Sequence, residues 1–273
     1  DADHLDFFKD IDDIRLSFRK FAELLPENGI LVINSITTNI SYIIDNLKCK
    51  VVTFGTSNTS GYSASNISYD ENGYGSFDIV INGNNTGRHI KLNVIGEHNI
   101  NNALAAIALA DYYNIPEEAI SEGLAEFKGT ERRFEIKGSF NGVTVVDDYA
   151  HHPAEIKATL DASLKFPHNH LWCVFQPHTY SRTRELLEEF ADVLSLAENV
   201  ILADIYAARE TDPGDISSLT LKQAIEKKGK KVYYFPSFQE IEDFLSEHCI
   251  NGDLLITMGA GDVVNIGEDL VNK

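Results

Sequence analysis

From about Phe134 to the end of the chain, short apolar runs alternate with longer stretches of helical spacing, and this alternation restricts the possible folds more than any other feature. Strands that are joined by helices lie parallel in one sheet, and the helices then cover both of its faces. The sequence therefore predicts a Rossmann-like α/β domain in this half. The predicted elements are strand 143–146, helix 153–165, strand 171–175, helix 183–194, strand 199–203, helix 219–228, strand 231–235, helix 238–249 and strand 253–257.

The first half of the chain has a mixed pattern. Residues 57–93 are rich in Gly, Asn and Ser, and their short alternating runs are typical of β-hairpins. A nearly continuous apolar helix follows, and Asn99 is its predicted N-cap. We place a domain boundary near 127–131, which gives domains at 1–128 and 129–273. The other predicted elements are helix 11–25, strands 30–33, 51–54, 62–69, 75–81 and 89–95, helix 100–113 and a helix that begins at Pro116.

The charge balance and the cysteines exclude several classes of partner. The formal net charge of -19 argues against binding to duplex nucleic acid, which needs a basic surface, and against an anionic membrane surface. The longest apolar run, 103–110, is far shorter than the roughly 20 residues that cross a bilayer. Three isolated cysteines indicate neither a disulfide framework nor a zinc site, so we expect a reducing, cytoplasmic location with no nucleic-acid or membrane partner.

Polar residues follow four of the predicted strands in the second half, at the point where each strand ends. Since the carboxyl ends of parallel strands meet at one edge of a sheet, and open α/β sheets bind ligands there, we expect one site built from these loops. Two nearby arginines would suit a carboxylate or a phosphate. A capping Asp with incidental histidines is the alternative for the first loop. The loop residues are Asp147, Asp148, Tyr149, His151 and His152, then His178, Arg182 and Arg184, then Tyr206, Arg209 and Glu210, and last Gly259, Gly261 and Asp262.

Three further places could carry chemistry. Asn102 is predicted to lie inside an apolar helix, where an adenine edge would satisfy its amide; a capped core helix is the alternative. His4 lies among three aspartates, which suits a divalent cation or an acidic helix start. Arg132 and Arg133 adjoin the domain boundary, where they could reach a phosphate on domain closure or lie in a solvated turn.

Taken together, these segments resemble the Mur ligase family. The motifs occur in the family's order over essentially the whole chain. The resemblance implies that 1–128 is part of a central P-loop-type ATPase domain and that 129–273 is a Rossmann-like C-terminal domain, both of the α/β class. The motifs are D-H-L-D-F-F at 3–8, G-E-H-N-I-N-N-A at 96–103, G-T-E-R-R-F at 129–134, D-D-Y-A-H-H-P at 147–153, F-Q-P-H-T-Y-S-R-T at 175–183, Y-A-A-R-E at 206–210 and M-G-A-G-D at 258–262.

The resemblance implies an ATP-dependent amide ligation with Mg²⁺ as the metal. The A-H-H-P and Q-P-H-x-Y-S-R-T motifs are similar to those of the branch that joins L-alanine to UDP-N-acetylmuramate in peptidoglycan precursor synthesis. The family would place the metal at His4, the nucleotide at His98, Asn99, Asn102, Arg133 and Asp148, the sugar acid and the amino acid at Tyr149, His151, His178 and Arg182, and catalysis at Arg133, Asp148 and His151.

The chain also departs from the family pattern. Thr179 stands where some members carry Arg, which puts one contact to an anion in doubt. No G-x-x-x-x-G-K-[ST] motif occurs, so we expect a piece of a longer enzyme that is inactive by itself.

Three rival readings remain open. They are a murein tripeptide ligase of cell-wall recycling, a non-catalytic nucleotide- or sugar-binding module, and a dehydrogenase. The dehydrogenase is disfavoured because the Gly259-x-Gly261 pair follows the last predicted strand and lacks the third glycine.

Overall fold

The computed structural model describes residues 7–57 and 60–273, and the chain divides into two compact units. The first unit ends at Lys128, and the second extends from Gly129 to Lys273. In the part of the chain described, no helix is long and apolar enough to cross a membrane.

The first unit contains a five-stranded sheet in the order β1-β2-β3-β4-β5. Strands β1, β2 and β3 are parallel, whereas β3, β4 and β5 form antiparallel hairpins, as the Gly- and Asn-rich sequence predicted. The elements are α1 (Ile11–Ala22), β1 (Ile30–Asn34), α2 (Ile40–Ile44), β2 (Lys50–Phe54), β3 (Tyr62–Tyr69), β4 (Tyr74–Ile81), β5 (Asn84–Ile95), α3 (Glu97–Tyr112) and α4 (Glu117–Glu126).

Helix α3 packs on this sheet and completes the core of the first unit. Its buried residues Ile100, Leu104 and Ile107 recur at helical spacing and contact the hairpin strands through Phe77 and Ile79. The helix begins earlier than predicted, because Gly96, with φ +100°, is its N-cap. The prediction that Asn99 caps the helix is therefore wrong: Asn99 lies in the first turn, and its side chain donates to the Ile95 carbonyl at 2.8 Å.

The second unit contains a six-stranded sheet in the order β10-β9-β8-β11-β7-β6. All neighbouring strands are parallel except β6, which is antiparallel to β7. The predicted Rossmann-like architecture is thus confirmed. The elements are β6 (Glu135–Phe140), β7 (Val143–Asp148), α5 (Pro153–Ser163), β8 (Leu171–Phe175), α6 (Tyr180–Glu185), α7 (Leu187–Leu194), β9 (Asn199–Leu202), α8 (Ser218–Lys227), β10 (Val232–Tyr234), α9 (Phe238–His248), β11 (Leu254–Met258) and α10 (Val264–Asn272).

Helices cover both faces of the second sheet. All five residues of β8 are buried, with Leu171, Cys173 and Phe175 packed in one core and Trp172 and Val174 in the other. Helices α5, α7 and α8 contribute to the first core, and α9 and α10 to the second. A strand that is buried on both faces reads as a continuous apolar run, which is why β8 has the bounds that the sequence predicted.

Three local predictions are wrong or incomplete. The predicted helix 183–194 is two helices, α6 and α7, with Leu186 at φ -111° between them. Strand β6 and helix α10 were not predicted. Asp147 and Asp148 do not lie on a loop, because they are the last two residues of β7. Both are buried, with 0% of the surface of Asp147 and 5% of that of Asp148 exposed.

Candidate functional site

Four strands of the second unit end side by side at one edge of the sheet. Met258 of β11 pairs with Asp148 of β7 and with Phe175 of β8, and Phe175 in turn pairs with Leu202 of β9. The loops that follow these strands therefore start at the same level. This arrangement brings the predicted polar loops together, as the ends of parallel strands require.

Four ring side chains form a continuous row along this edge, here called the ring row: Tyr149, His151, His178 and Tyr206. The ring centroids are 5.4 Å apart for Tyr149 and His151, and 5.7 Å apart for His151 and His178. His178 and Tyr206 stack at 5.6 Å with an angle of 13° between the ring planes. Tyr149 and Tyr206 are exposed at the two ends, so a ligand can reach the row from solvent.

Arg182 adds a positive charge beside the ring row. One of its Nη atoms lies 3.4 Å from both the Nδ1 atom and the carbonyl oxygen of His178. A guanidinium next to two imidazoles suits a small ligand that carries a carboxylate. Arg184 is not part of this group, because its side chain is exposed and donates to Asp215 at 2.5 Å.

His178 of the row is suited to accept a proton. Burial, together with the nearby His151 and Arg182, holds the pKa of His178 below its usual value, so its ring is neutral at neutral pH. The Nδ1 atom of His151 lies 3.0 Å from the Tyr149 carbonyl oxygen. A carbonyl can only accept, so this bond requires a proton on Nδ1 of His151.

Asp147 and Arg132 form a buried ion pair below the ring row. Arg132 Nε donates to Asp147 at 2.7 Å, and Thr257 Oγ1 donates to the other carboxylate oxygen, also at 2.7 Å. The remaining nitrogens of Arg132 donate to the carbonyls of Gly259 and Gly261 at 2.7 and 3.1 Å. The side chain thereby ties the segment before β6 to the loop after β11.

The carboxylate of Asp148 is hydrogen-bonded within the protein. Its carboxylate accepts hydrogen bonds from the backbone N–H groups of Phe134 and Ala150 at 2.9 and 2.8 Å, and from Thr159 Oγ1 at 3.0 Å. Burial raises the pKa of Asp148, and these three bonds oppose that shift. In this arrangement Asp148 holds the segment before β6 against the start of α5, and its contact with a nucleotide stays a prediction.

Arg133 differs from its neighbour Arg132 in exposure. About half of its side chain, 51%, is exposed, and its closest acidic partner is Glu155 at 3.6 Å. The guanidinium carbon lies 5.8 Å from the centre of the Tyr149 ring. Arg133 is therefore an accessible cation beside the ring row.

The loop after β11 packs tightly against the ring row. A Cβ atom on Gly261 would lie 2.8 Å from Cγ of Tyr206 and would collide with the side-chain oxygen of Gln176. Gln176 also donates to Asp262 at 2.9 Å and accepts from the Val263 N–H at 3.2 Å. Only glycine fits at 261, and this close fit holds Tyr206 in its stack with His178.

The remaining predicted site residues belong to the first unit. His98, Asn99 and Asn102 share the first turns of α3, where Asn102 donates to Asn99 at 3.1 Å and Asn99 lies 3.2 Å from His98. Asn102 is exposed, so the expectation that its amide would be buried is wrong. His4 lies outside the described residues. Within 7–57 and 60–273, no group of three or more His, Cys, Asp or Glu side chains could hold a metal ion.

Sequence reasoning did not identify the structural roles of three residues that hold the site together: Arg132, Gln176 and Glu210. Each occurs inside a motif that the sequence analysis singled out, but its partners were not foreseen. The sequence did contain a signal for the role of Arg132. The backbone carbonyls of a Gly-x-Gly turn need hydrogen-bond donors, and a buried Asp needs a cation beside it.

Comparison with known proteins agrees with this architecture. The Mur ligase middle domain matches residues 1–110, and the Mur ligase glutamate ligase domain matches residues 132–261. A UDP-N-acetylmuramate–L-alanine ligase of Lachnospira eligens is 56% identical over 98% of this chain and 59% of its own length. The chain thus spans about 59% of the length of that curated relative.

Two solved structures share the fold. The UDP-N-acetylmuramate–alanine ligase MurC of Thermotoga maritima superposes with a TM-score of 0.79 at 27% identity, over 99% of this chain and 57% of that one. The MurF ligase of Thermotoga maritima in complex with ADP is 18% identical, with a TM-score of 0.76 over 98% of this chain and 60% of that one. The edge of four strand ends, the motifs and both domain matches lead to one conclusion: the chain belongs to the Mur ligase family.

Proposed function

We propose that the full-length protein containing this chain joins L-alanine to UDP-N-acetylmuramate at the expense of ATP. The muramate carboxylate attacks the γ-phosphorus of ATP, which forms an acyl phosphate and releases ADP. The amine of L-alanine then attacks the acyl carbon, and inorganic phosphate leaves. The 56% identity to a ligase of that name supports this choice of substrates.

The ring row with Arg182 is the observation that carries the proposal. An amino acid brings a carboxylate, which suits the guanidinium of Arg182. It also brings an ammonium group that must lose a proton before the nitrogen can attack. Neutral His178, beside Arg182, can take this proton, and we assign His151 to the same catalytic site because its ring lies 5.7 Å from that of His178. Tyr149 would close the other end of the pocket.

Each of the two units contains residues to which we assign a contact with the nucleotide. The exposed amides of Asn99 and Asn102, beside His98, can present a donor and an acceptor to an adenine edge. Arg133 is an exposed cation that can reach a phosphate, and Asp148 would act with it by holding its segment. The related MurF structure with ADP supports a nucleotide in this fold.

His4 is the only residue to which we assign magnesium binding. The buried carboxylates near the ring row do not fit a metal, because Asp147 and Asp148 accept hydrogen bonds from protein donors. We therefore assign no step to a metal at this edge. A cytoplasmic location fits the nucleotide substrates and the three free cysteines, all of which are buried.

The proposal is tested by an assay of ADP release with the full-length protein. We expect release to require both UDP-N-acetylmuramate and L-alanine, with glycine a poorer substrate because it lacks the methyl group and serine a poorer one because its hydroxyl adds bulk. Preference for a tripeptide would identify a recycling ligase instead. Binding of ATP and UDP-N-acetylmuramate without turnover would indicate a non-catalytic binding module.

A matched pair of variants tests the role of Arg182. Arg182→Gln should raise the KM for L-alanine roughly tenfold or more, because a charged hydrogen bond to the carboxylate is lost. Arg184→Gln, which removes an exposed arginine two positions away, should leave that KM unchanged. Equal effects of the two variants would contradict the assignment of Arg182 to the carboxylate.

A further inference from the structure

Glu210 lies in the loop after β9 and makes a two-pronged contact with the loop after β8. One of its carboxylate oxygens accepts a hydrogen bond from the Ser181 N–H at 2.9 Å, and the other accepts from the Ser181 hydroxyl. Burial opposes ionisation of Glu210, but the bonds from Ser181, Thr179 and the Tyr180 backbone outweigh it and hold its pKa below the usual value. Glu210 is therefore an anion at neutral pH.

Ser181 lies between the two groups of the site that come from this loop, His178 and Arg182. It belongs to the first turn of α6, and Thr179, the N-cap of that helix, makes no side-chain capping bond. The first N–H groups of a helix need acceptors from elsewhere. Glu210 supplies one from a different strand end, and thereby fixes the turn that carries Arg182.

A second connection joins the same two loops at their other ends. The Tyr206 N–H donates to the Pro177 carbonyl at 2.8 Å, and the Tyr206 ring stacks on His178. The segments 177–182 and 206–210 are thus linked both next to their strands and at Glu210. Without the carboxylate of Glu210, the first turn of α6 would lose its contact with this loop, which leaves the link nearer the sheet and the exposed pair of Arg184 with Asp215.

The charge of Glu210 also acts on its neighbours. The nearby His151 and Arg182 lower the pKa of His178, as burial does, whereas the charge of Glu210 raises it. Glu210 thus offsets part of the positive charge of the pocket. The proposed reaction itself gives this carboxylate no role.

We propose that Glu210 is a positioning residue for the amino-acid substrate, which holds Arg182 and His178 in place through Ser181 without contacting the substrate itself. This inference rests on the proposed function and extends it, because it names a residue that sets the affinity for the amino acid. A positioning role predicts an effect on one substrate and little effect on the other.

The test is steady-state kinetics of the full-length protein with three variants. Glu210→Ala removes both bonds from Ser181, together with those from Thr179 and the Tyr180 backbone, and should raise the KM for L-alanine roughly tenfold, with the KM for ATP within about twofold of its original value. Glu210→Gln should restore most of the affinity, since its carbonyl can accept from the Ser181 N–H and its amide can donate to the Ser181 oxygen. Glu198→Gln, an exposed acid that pairs with His170, is the control and should change neither KM.

A double variant tests whether Glu210 acts through Ser181. Ser181→Ala removes the hydroxyl bond and keeps the N–H bond, so Glu210→Ala should raise the KM for L-alanine by a smaller factor when Ser181→Ala is already present than in the unchanged protein. Thermal unfolding of each variant reports whether the fold is retained.

The outcomes separate the two proposals. No L-alanine-dependent turnover by the unchanged protein would overturn the proposed function. Normal turnover, together with an unchanged KM for L-alanine in Glu210→Ala or with equal rises in both KM values, would overturn the positioning role alone.

Discussion

At the scale of single residues, two adjacent arginines before β6 have opposite environments. The Arg132 guanidinium donates hydrogen bonds to Asp147 and to two glycine carbonyls, whereas about half of the Arg133 side chain faces solvent. Their backbone conformation separates them, since Arg132 has φ +56° and Phe134 has φ +48°. One arginine therefore holds the segment, and the other is available to a ligand.

This difference predicts unequal effects on stability. Arg132→Gln leaves the buried carboxylate of Asp147 without its cation, so we expect the free energy of unfolding to fall by about 2–4 kcal/mol in urea titrations. Arg133→Gln should cost less than about 0.5 kcal/mol, because its ion pair is long and exposed. The double variant Arg132→Gln, Asp147→Asn should recover part of the loss. Equal costs for the two single variants would contradict the structural role of Arg132.

The buried carboxyl of Asp148 predicts a dependence on pH. Burial raises its pKa above the usual 3.8, so the folded chain binds this proton more tightly than the unfolded chain does. Its contribution to stability therefore grows as the pH falls from neutral toward 3.8 and is lost as the pH rises. Asp148→Asn cannot take up this proton, and its amide N–H faces a backbone donor, which costs about 1–3 kcal/mol.

The measurement is the difference in unfolding free energy between the unchanged chain and Asp148→Asn. We expect this deficit to be larger at about pH 4.5 than at about pH 8. Asp161→Asn, on the exposed side of α5, is the control and should cost less than about 0.5 kcal/mol. A deficit that shrinks at the lower pH would refute the raised pKa of Asp148.

At the scale of elements, the buried parallel strands could be predicted from the sequence and their polar ends could not. Strand β8 is apolar throughout, so its bounds follow from composition alone. Strand β7 ends in two aspartates, which a pattern of apolar residues excludes, although both are buried and paired in the fold. Several of their partners, such as Thr257 for Asp147 and the segment before β6 for both, come from other parts of the chain, so the local pattern does not reveal them.

Strand β6 and the pair of helices α6 and α7 also could not be predicted from the local sequence pattern. Strand β6 is an edge strand with a register shift between Ile136 and Gly138, which removes the alternation that would predict it. The break between α6 and α7 at Leu186 has no Gly or Pro to signal it. For the site, the sequence predicted which loops meet, whereas the contacts that fix their geometry depend on tertiary structure.

The loop after β11 gives a prediction for an element under close packing. Gly261→Ala would drive a methyl group into Tyr206 and Gln176, so we expect a loss of about 1–3 kcal/mol in the free energy of unfolding. Gly123→Ala in α4 has nothing within 4 Å and should stabilise the chain by about 0.5–1 kcal/mol. Both are measured by urea unfolding. A neutral Gly261→Ala would mean that the loop does not support the ring row.

At the scale of the whole molecule, the two units differ in how completely they bury their apolar surface. The second unit has helices on both faces of its sheet and fully buried central strands. In the first unit, every residue of β1 is only half-buried, and Phe18, Phe21 and Leu24 expose 59%, 71% and 79% of their surface. The hydrophobic contribution to stability follows the area removed from water, so the second unit should be the more stable.

We therefore expect residues 129–273 to fold when expressed alone, with one cooperative transition in urea and a near-UV circular dichroism spectrum of ordered aromatic residues. In the whole chain, amide hydrogens of the first unit should exchange faster than those of β8 and β11. Slower exchange in the first unit, or a non-cooperative transition of the isolated second unit, would contradict this order of stability.

The rings of the row are supplied by the ends of three different strands: Tyr149 and His151 after β7, His178 after β8 and Tyr206 after β9. The sheet beneath them does not depend on which side chains the loops carry. Under the proposed function, a change of amino-acid preference can therefore arise through substitutions in a single loop while the rest of the pocket persists. Grafting one loop at a time between related ligases is accordingly a route to new specificities, and the recipient scaffold needs no redesign.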